Sequence, residues 1–288
     1  MEIKVIGVVG AGTMGHGIAQ VALQGGFQVL IEDVAKDILD KARNQIAFGF
    51  TKGVEKGKLT ETQKEEMLTH LTLTTALSDC AAADFVIEAV AEDYAVKKGV
   101  FHELDRVCRP EVILATNTSS ISITKIAAAT STPSRVVGMH FFNPVPVMRL
   151  VEIIRGFATE DTTVAATHHL AERLGKTAVE AADYPGFLAN RILLPMINEA
   201  IYALMEGVGT AEAIDNVMKL GANHPMGPLA LADLVGLDVC LAIMRTLCDG
   251  FGEPKYRPCP LLVRMVDAGF LGQKTGRGFY AYEQTRKG

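Results

Sequence analysis

Two residues stand out against apolar surroundings. His140 lies near the end of the apolar stretch 136–142, and Glu152 interrupts Leu150-Val151-Glu152-Ile153-Ile154. A buried carboxylate without a partner costs several kcal/mol, so Glu152 requires one. Residues 136–142 and 150–154 read as strands joined by Asn143-Pro144-Val145-Pro146, a turn that prolines enforce. Paired antiparallel, they can bring Glu152 to His140. A carboxylate there fixes the imidazole tautomer and steadies the imidazolium formed when a proton is taken, the chemistry of a general base and its orienter. Each residue also has a plainer reading. The chain has seven histidines, most of them expected as surface or satisfied core residues, and strand-end carboxylates often make structural pairs. Ser119 could cap a helix starting near Ser122, and Asn190 could be a polar residue on an interdomain helix.

A second constellation opens the chain. The apolar run 3–9 meets Gly10-Ala11-Gly12-Thr13-Met14-Gly15, and residues 18–23 continue apolar at helical spacing, which reads as strand, glycine turn, helix. Gly10 permits a sharp turn, Gly12 lacks the Cβ that would hold a pyrophosphate off the backbone, and Gly15 lets the helix lie close to the sheet. The pyrophosphate then meets N–H groups at the helix start. Asp33 follows Gly15 by 18 residues and ends the second apolar run, 27–31, where a carboxylate accepts from both adenosine ribose hydroxyls and repels a 2′-phosphate. With Glu32 beside it, the pair argues for NAD over NADP, softened by Lys36 nearby.

The elements that must position these groups follow from periodicity. After Asp33, residues 35–50 are helical in spacing, and Lys52, Gly53, Lys56, Gly57 and Lys58 form a basic, glycine-broken tip before Thr60 and Gln63, a capping box opening another helix. This hairpin reads as an insertion projecting toward ligand, or as a solvated turn. Buried strands are expected at 85–90 and 112–115, with a helix at 94–107 between them, placing Glu92 and the loop 116–120 on the cofactor side of the sheet. A helix at 162–174 and a strand at 177–181 close this region. Asp183-Tyr184-Pro185-Gly186 breaks the pattern, and segments 187–206, 211–220 and 229–248 are all helical in period. The fold class is α/β: a Rossmann-type dinucleotide-binding domain, 1–184, with a helical hairpin insertion, then an all-α domain for substrate and dimerisation, 185–288.

Composition narrows the functions. The 288 residues are 49% hydrophobic with a net charge of -5 and no basic block, so nucleic acid is not an expected partner. No apolar run is long enough for a membrane span, and the glycine turn falls too early for a leader to precede it. Cytoplasmic placement follows, or that of a mature organellar protein. Five cysteines without C-x-x-C spacing fit a reducing compartment, with buried thiols and no metal site. The apolar content of the helical domain exceeds what it can hide alone, so a homodimer is expected.

The segments Gly10-Ala-Gly12-Thr-Met-Gly15, Asn117-Thr-Ser119-Ser120, His140-Phe-Phe-Asn143-Pro144-Val-Pro146-Val-Met, Asp183-Tyr-Pro185-Gly186-Phe187-Leu-Ala-Asn190-Arg191 and Gly221-Ala-Asn-His-Pro225-Met-Gly227-Pro228 occur in order along the chain. Through them it resembles the short-chain (S)-3-hydroxyacyl-CoA dehydrogenases, and most the bacterial 3-hydroxybutyryl-CoA dehydrogenases. The resemblance implies that His140 is the catalytic base and Glu152 its partner, that Ser119 and Asn190 hold substrate, and that Glu92, Lys97, Asn117 and Lys274 contact NAD. It also implies domain closure during turnover. Lys52, Lys56 and Lys58 are the candidate handle for the phosphates of a CoA thioester, which an acidic protein cannot attract by its overall field. Alternatives on the same architecture are a 3-hydroxyadipyl-CoA or sugar-acid dehydrogenase, and, outside catalysis, a crystallin-like structural protein. A fragment of a larger fatty-acid oxidation protein is a further alternative, although the chain reads as complete.

Overall fold

The computed structural model describes residues 2–283. Its first compact unit runs to Tyr184 and its second starts at Pro185. Eight strands form one sheet in the first unit: β1 Val5–Val9, β2 Gln28–Glu32, β3 Leu71–Thr74, β4 Phe85–Glu88, β5 Ile113–Thr116, β6 Val136–Phe141, β7 Leu150–Arg155 and β8 Thr177–Ala182, in the order β3-β2-β1-β4-β5-β6-β7-β8. Strands β1 to β6 are parallel, β7 turns back antiparallel to β6, and β8 runs with β7. The runs β4, β5 and β6 are buried at every position, as strands covered on both faces must be.

Helices connect the strands. α1 Thr13–Gln24 follows β1; α2 Lys36–Glu55 and α3 Glu61–Thr69 form the hairpin between β2 and β3; α4 Tyr94–Val107, α5 Ile123–Ala127 and α6 Asp161–Arg173 follow β4, β5 and β7. The apolar stripe of α1, with Ile18, Val21, Ala22 and Leu23, packs with Leu39, Ile46 and Phe50 of α2 and Val164 and Leu170 of α6 into one core with the strands. The expected capping box is present: the Thr60 hydroxyl accepts from Gln63 N–H, and the Gln63 side chain accepts from Thr60 N–H. The lysine tip is shorter than the spacing suggests. α2 continues through Lys52 and Gly53 and ends at Glu55, leaving residues 56–60 as the turn. Strand β3, which the sequence reading passes over, fills the sheet edge after α3.

The second unit is helical: α7 Ala189–Met205, α8 Ala211–Asn216, α9 Pro228–Val235, α10 Leu237–Phe251 and α11 Pro260–Asp267. Its core gathers Leu194, Ile197 and Ile201 of α7, Leu229 of α9, Leu241, Met244 and Leu247 of α10, and Leu262 of α11. The single helix expected over 229–248 is two, because Gly236 sits at φ +102, a conformation that ends α9 and redirects the chain into α10. Among the described residues, no helix is long and apolar enough to cross a membrane.

Candidate active site

The loop between β1 and α1 is built as the glycine spacing requires. Gly10 adopts φ +94 and its N–H donates to the Glu32 carbonyl at 2.8 Å. A Cβ on Gly15 would collide with the Gly10 carbonyl, whereas at Gly12 the corresponding space is open. Among the described residues no side chain caps the start of α1, and no acidic residue stands in its first turn. Its N–H groups and positive end are therefore available to a phosphate. Asp33 holds this loop from the tip of β2: one oxygen accepts Ala11 N–H at 2.9 Å and the other Ala35 N–H at 3.1 Å. These features fit a dinucleotide. A contributor the spacing does not reveal is His16, which donates from Nδ1 to the Gly12 carbonyl at 2.8 Å. Glu32 is not an equal companion of Asp33. It is buried, and burial, followed by the neighbouring Asp33 charge, pushes its pKa up to about 7, so it supplies only part of the negative charge expected of the pair.

At the ends of β4 and β5, Glu92 gathers the loop that carries Ser119. Its Oε1 accepts the Thr118 hydroxyl at 2.5 Å, Ser119 N–H at 3.0 Å, Ser120 N–H at 3.1 Å and the Ser120 hydroxyl at 2.9 Å. Burial alone would raise its pKa, but the Lys97 ammonium, 3.3 Å away, and these hydrogen bonds outweigh it and hold the carboxyl below its usual range. Lys97 is itself buried and pairs more closely with Glu88, at 2.6 Å, a residue that sequence reasoning takes for part of an apolar strand. Asn117 accepts Phe141 N–H through Oδ1 at 2.8 Å, tying the end of β5 to the strand of His140. The cap of α5 is Ser122, whose side chain accepts Lys125 N–H, so Ser119 does not have that task.

The expected acid and imidazole meet. His140 and Glu152 are Cα partners in the antiparallel pairing of β6 and β7, and Nδ1–H of His140 donates to Glu152 Oε2 at 2.8 Å. Glu152 is 1% exposed and His140 7%, so this charge-assisted bond is shielded from water. The Phe142 ring lies 4.7 Å from the imidazole, centre to centre. The proline turn is held from below by Lys176, which donates to the carbonyls of Val145 and Met148 at 2.5 and 2.8 Å. His140, Asn117, Glu92, Asp33 and the glycine turn thus all lie at or just beyond the carboxyl ends of the parallel strands, where open α/β sheets bind ligands.

The remaining expected site residues are carried by other elements. Lys52, Lys56 and Lys58 are exposed at the hairpin tip, with the Lys52 ammonium 4.3 Å above the Phe48 ring. In the second unit Asn190 is buried near the start of α7, and Lys274 makes an ion pair with both Asp238 oxygens, at 2.5 and 2.7 Å. Two further carboxylates of that unit have no forewarning in the sequence. Asp215 accepts Leu229 N–H, Ala230 N–H and the Tyr280 hydroxyl; Asp233 accepts Phe279 N–H, Tyr280 N–H and the Tyr282 hydroxyl.

Parallel strands, a glycine turn opening a helix and a carboxylate closing the second strand define a Rossmann-type dinucleotide-binding protein, with a histidine–glutamate pair at the same end of the sheet. Residues 5–184 match the family model for the NAD binding domain of 3-hydroxyacyl-CoA dehydrogenase, and residues 186–282 that for its C-terminal domain. The chain belongs to the 3-hydroxyacyl-CoA dehydrogenase family. It is 56% identical to a probable 3-hydroxybutyryl-CoA dehydrogenase of Bacillus subtilis, over 99% of both chains, and 54% identical to the 3-hydroxybutyryl-CoA dehydrogenase of Bradyrhizobium diazoefficiens, over 97% of this chain and 96% of the other. The crystal structure of (S)-3-hydroxybutyryl-CoA dehydrogenase from Ralstonia eutropha superimposes with a TM-score of 0.96 at 50% identity, covering 98% of this chain and all of that one.

Proposed function

We propose that this protein oxidises (S)-3-hydroxyacyl-CoA thioesters to 3-oxoacyl-CoA with NAD, and catalyses the reverse reduction, with 3-hydroxybutyryl-CoA as the favoured substrate. The observation that carries this reading is the 2.8 Å bond from His140 to Glu152 at the ligand-binding end of a dinucleotide-binding sheet. NAD, when bound, supplies the hydride acceptor. The glycine turn with Thr13 and Met14 and the start of α1 would hold its pyrophosphate, and Asp33 its adenosine ribose. Glu92 and Asn117 would serve the other half of the cofactor, with Lys97 acting from beneath Glu92, and Lys274 is proposed as a further contact. Every remaining task falls to the chain's own side chains.

With Nδ1 engaged by Glu152, proton exchange falls to His140 Nε2. The imidazole takes the proton of the 3-hydroxyl during oxidation and returns it during reduction. Glu152 holds the ring to one tautomer and balances the imidazolium, at a site where an unbalanced charge would be costly. Ser119 and Asn190 are proposed to hydrogen-bond the substrate oxygens, and Lys52, Lys56 and Lys58 to meet the CoA phosphates. The exposed Ile192, Leu234 and Val239 of the second unit support a homodimer, which sedimentation would test. Five free thiols are compatible with a cytoplasmic setting. The decisive assay follows NADH absorbance with acetoacetyl-CoA. Consumption that disappears in His140→Gln supports the reading, and an inert parent protein overturns it.

A further inference from the structure

Glu88 takes no part in the steps above, yet it is fully buried at the end of β4, level with Val9 of β1 and Thr116 of β5. Its Oε1 accepts from the Lys97 ammonium at 2.6 Å and from Val90 N–H at 2.8 Å, and its Oε2 accepts the Thr116 hydroxyl at 2.7 Å. Lys97, 1% exposed, continues to Glu92 Oε2 at 3.3 Å, and the other oxygen of Glu92 collects the amides and hydroxyls of residues 118–120. Two carboxylates therefore share one buried ammonium, and the closer contact is with the one furthest from solvent. A pair serving only to fill the interior would be replaced without loss by apolar residues of the same shape. This one does not end in the interior: its last member is the acceptor on which the Ser119 loop is hung. Without the charge on Glu88, Lys97 would bear on Glu92 alone, and the carboxylate would be drawn toward the ammonium and away from the loop amides.

We infer that Glu88 is a positioning residue: acting through Lys97 it fixes Glu92, and so sets where the 118–120 loop presents Ser119. The inference rests on the proposed dehydrogenase reading for the task of Ser119, while the loop geometry is independent of it. Glu88→Gln keeps the shape and removes the charge. In the folded full-length variant, the amides of Ser119 and Ser120 should exchange hydrogen about tenfold faster. The kcat for acetoacetyl-CoA reduction should fall roughly tenfold to a hundredfold, as expected when a reacting group is misplaced. The Kd for NADH, from its fluorescence, should rise by a smaller factor than kcat falls, since Glu92 also belongs to the proposed cofactor site, and the kcat penalty should vanish when Ser119→Ala is already present. Thr116→Val removes the Oε2 contact and with it the hydroxyl that accepts Thr118 N–H at 3.2 Å; it should lower kcat about two- to fivefold with the same cancellation by Ser119→Ala, which keeps the test open if Glu88→Gln does not fold. Unchanged loop exchange, penalties that simply multiply with Ser119→Ala, or a raised NADH Kd with unaltered kcat would each overturn the inference. An inactive parent would sink the dehydrogenase reading and leave the exchange measurement to decide this one.

Discussion

Glu152 and Asp215 are both buried carboxylates, one in each unit, and their partners set them apart. Glu152 faces a titratable ring on the neighbouring strand. Asp215 faces two backbone N–H groups at the start of α9 and a tyrosine hydroxyl, none of which exchanges a proton near neutral pH. Burial and the Asp215 contact, in that order, push the Tyr280 phenol further up. Equal concealment thus serves two ends. An acid set against an imidazole can tune a proton transfer, the task proposed for Glu152, and an acid set against amides fastens a helix to the segment that follows. The partner, and not the burial, tells which acid can do chemistry.

The contrast can be broken by substitution. The largest effect is expected at the imidazole: His140→Gln should lower kcat for acetoacetyl-CoA reduction by about a thousandfold or more while circular dichroism stays that of the parent. Glu152→Gln should follow at about a hundredfold, with the pH profile of kcat displaced because the imidazolium has lost its counter-charge. Asp215→Asn should do the opposite, costing about 2–3 kcal/mol in denaturant unfolding and leaving kcat within about twofold. If Asp215→Asn instead cost activity and spared stability, the distinction would fail. Reversing the charge of Lys52, Lys56 and Lys58 together should raise KM for the thioester roughly tenfold and KM for NAD less than twofold; equal changes would remove the lysines from CoA binding.

The smallest effect concerns Glu32. Its folded-state pKa of about 7 lies above the ordinary 4.5, so the folded protein keeps a proton that the unfolded chain has already released. Stability from this group is therefore complete below about pH 4.5 and lost as pH rises through 7. Glu32→Gln should flatten that part of the curve, seen as a Tm less sensitive to pH between 4.5 and about 7, the window bounded by the two values. A slope unchanged by the substitution would mean that Glu32 is ionised in the folded state.

How much of this was legible follows from the range of each signal. The strands of His140 and Glu152 were readable because each polar residue breaks an apolar run and prolines fix the return, so local pattern and pairing agree. β3 was not, because Leu71–Thr74 is short, alternates weakly and lies at the sheet edge, where burial imposes little pattern. The division between α9 and α10 was hidden because Gly236 sits inside an unbroken apolar period, and only its positive φ reveals the break. α11 carries a proline at its first position, a start signal, but its eight residues are too few to establish a helical period. Glu88 gives no signal of its own because it ends an apolar strand, and its partners Thr116 and Lys97 come from separate elements. Side chains whose purpose depends on residues distant in the chain leave no mark in local spacing.

The double grip of Asp33 on Ala11 and Ala35 bears on any attempt to retune this protein to a phosphorylated cofactor. The same carboxylate that would reject the extra phosphate also splints the turn beneath it. A redesign that installs a small or basic residue at that position must provide a replacement acceptor for the two orphaned amides, or it will gain tolerance by unstitching the cradle.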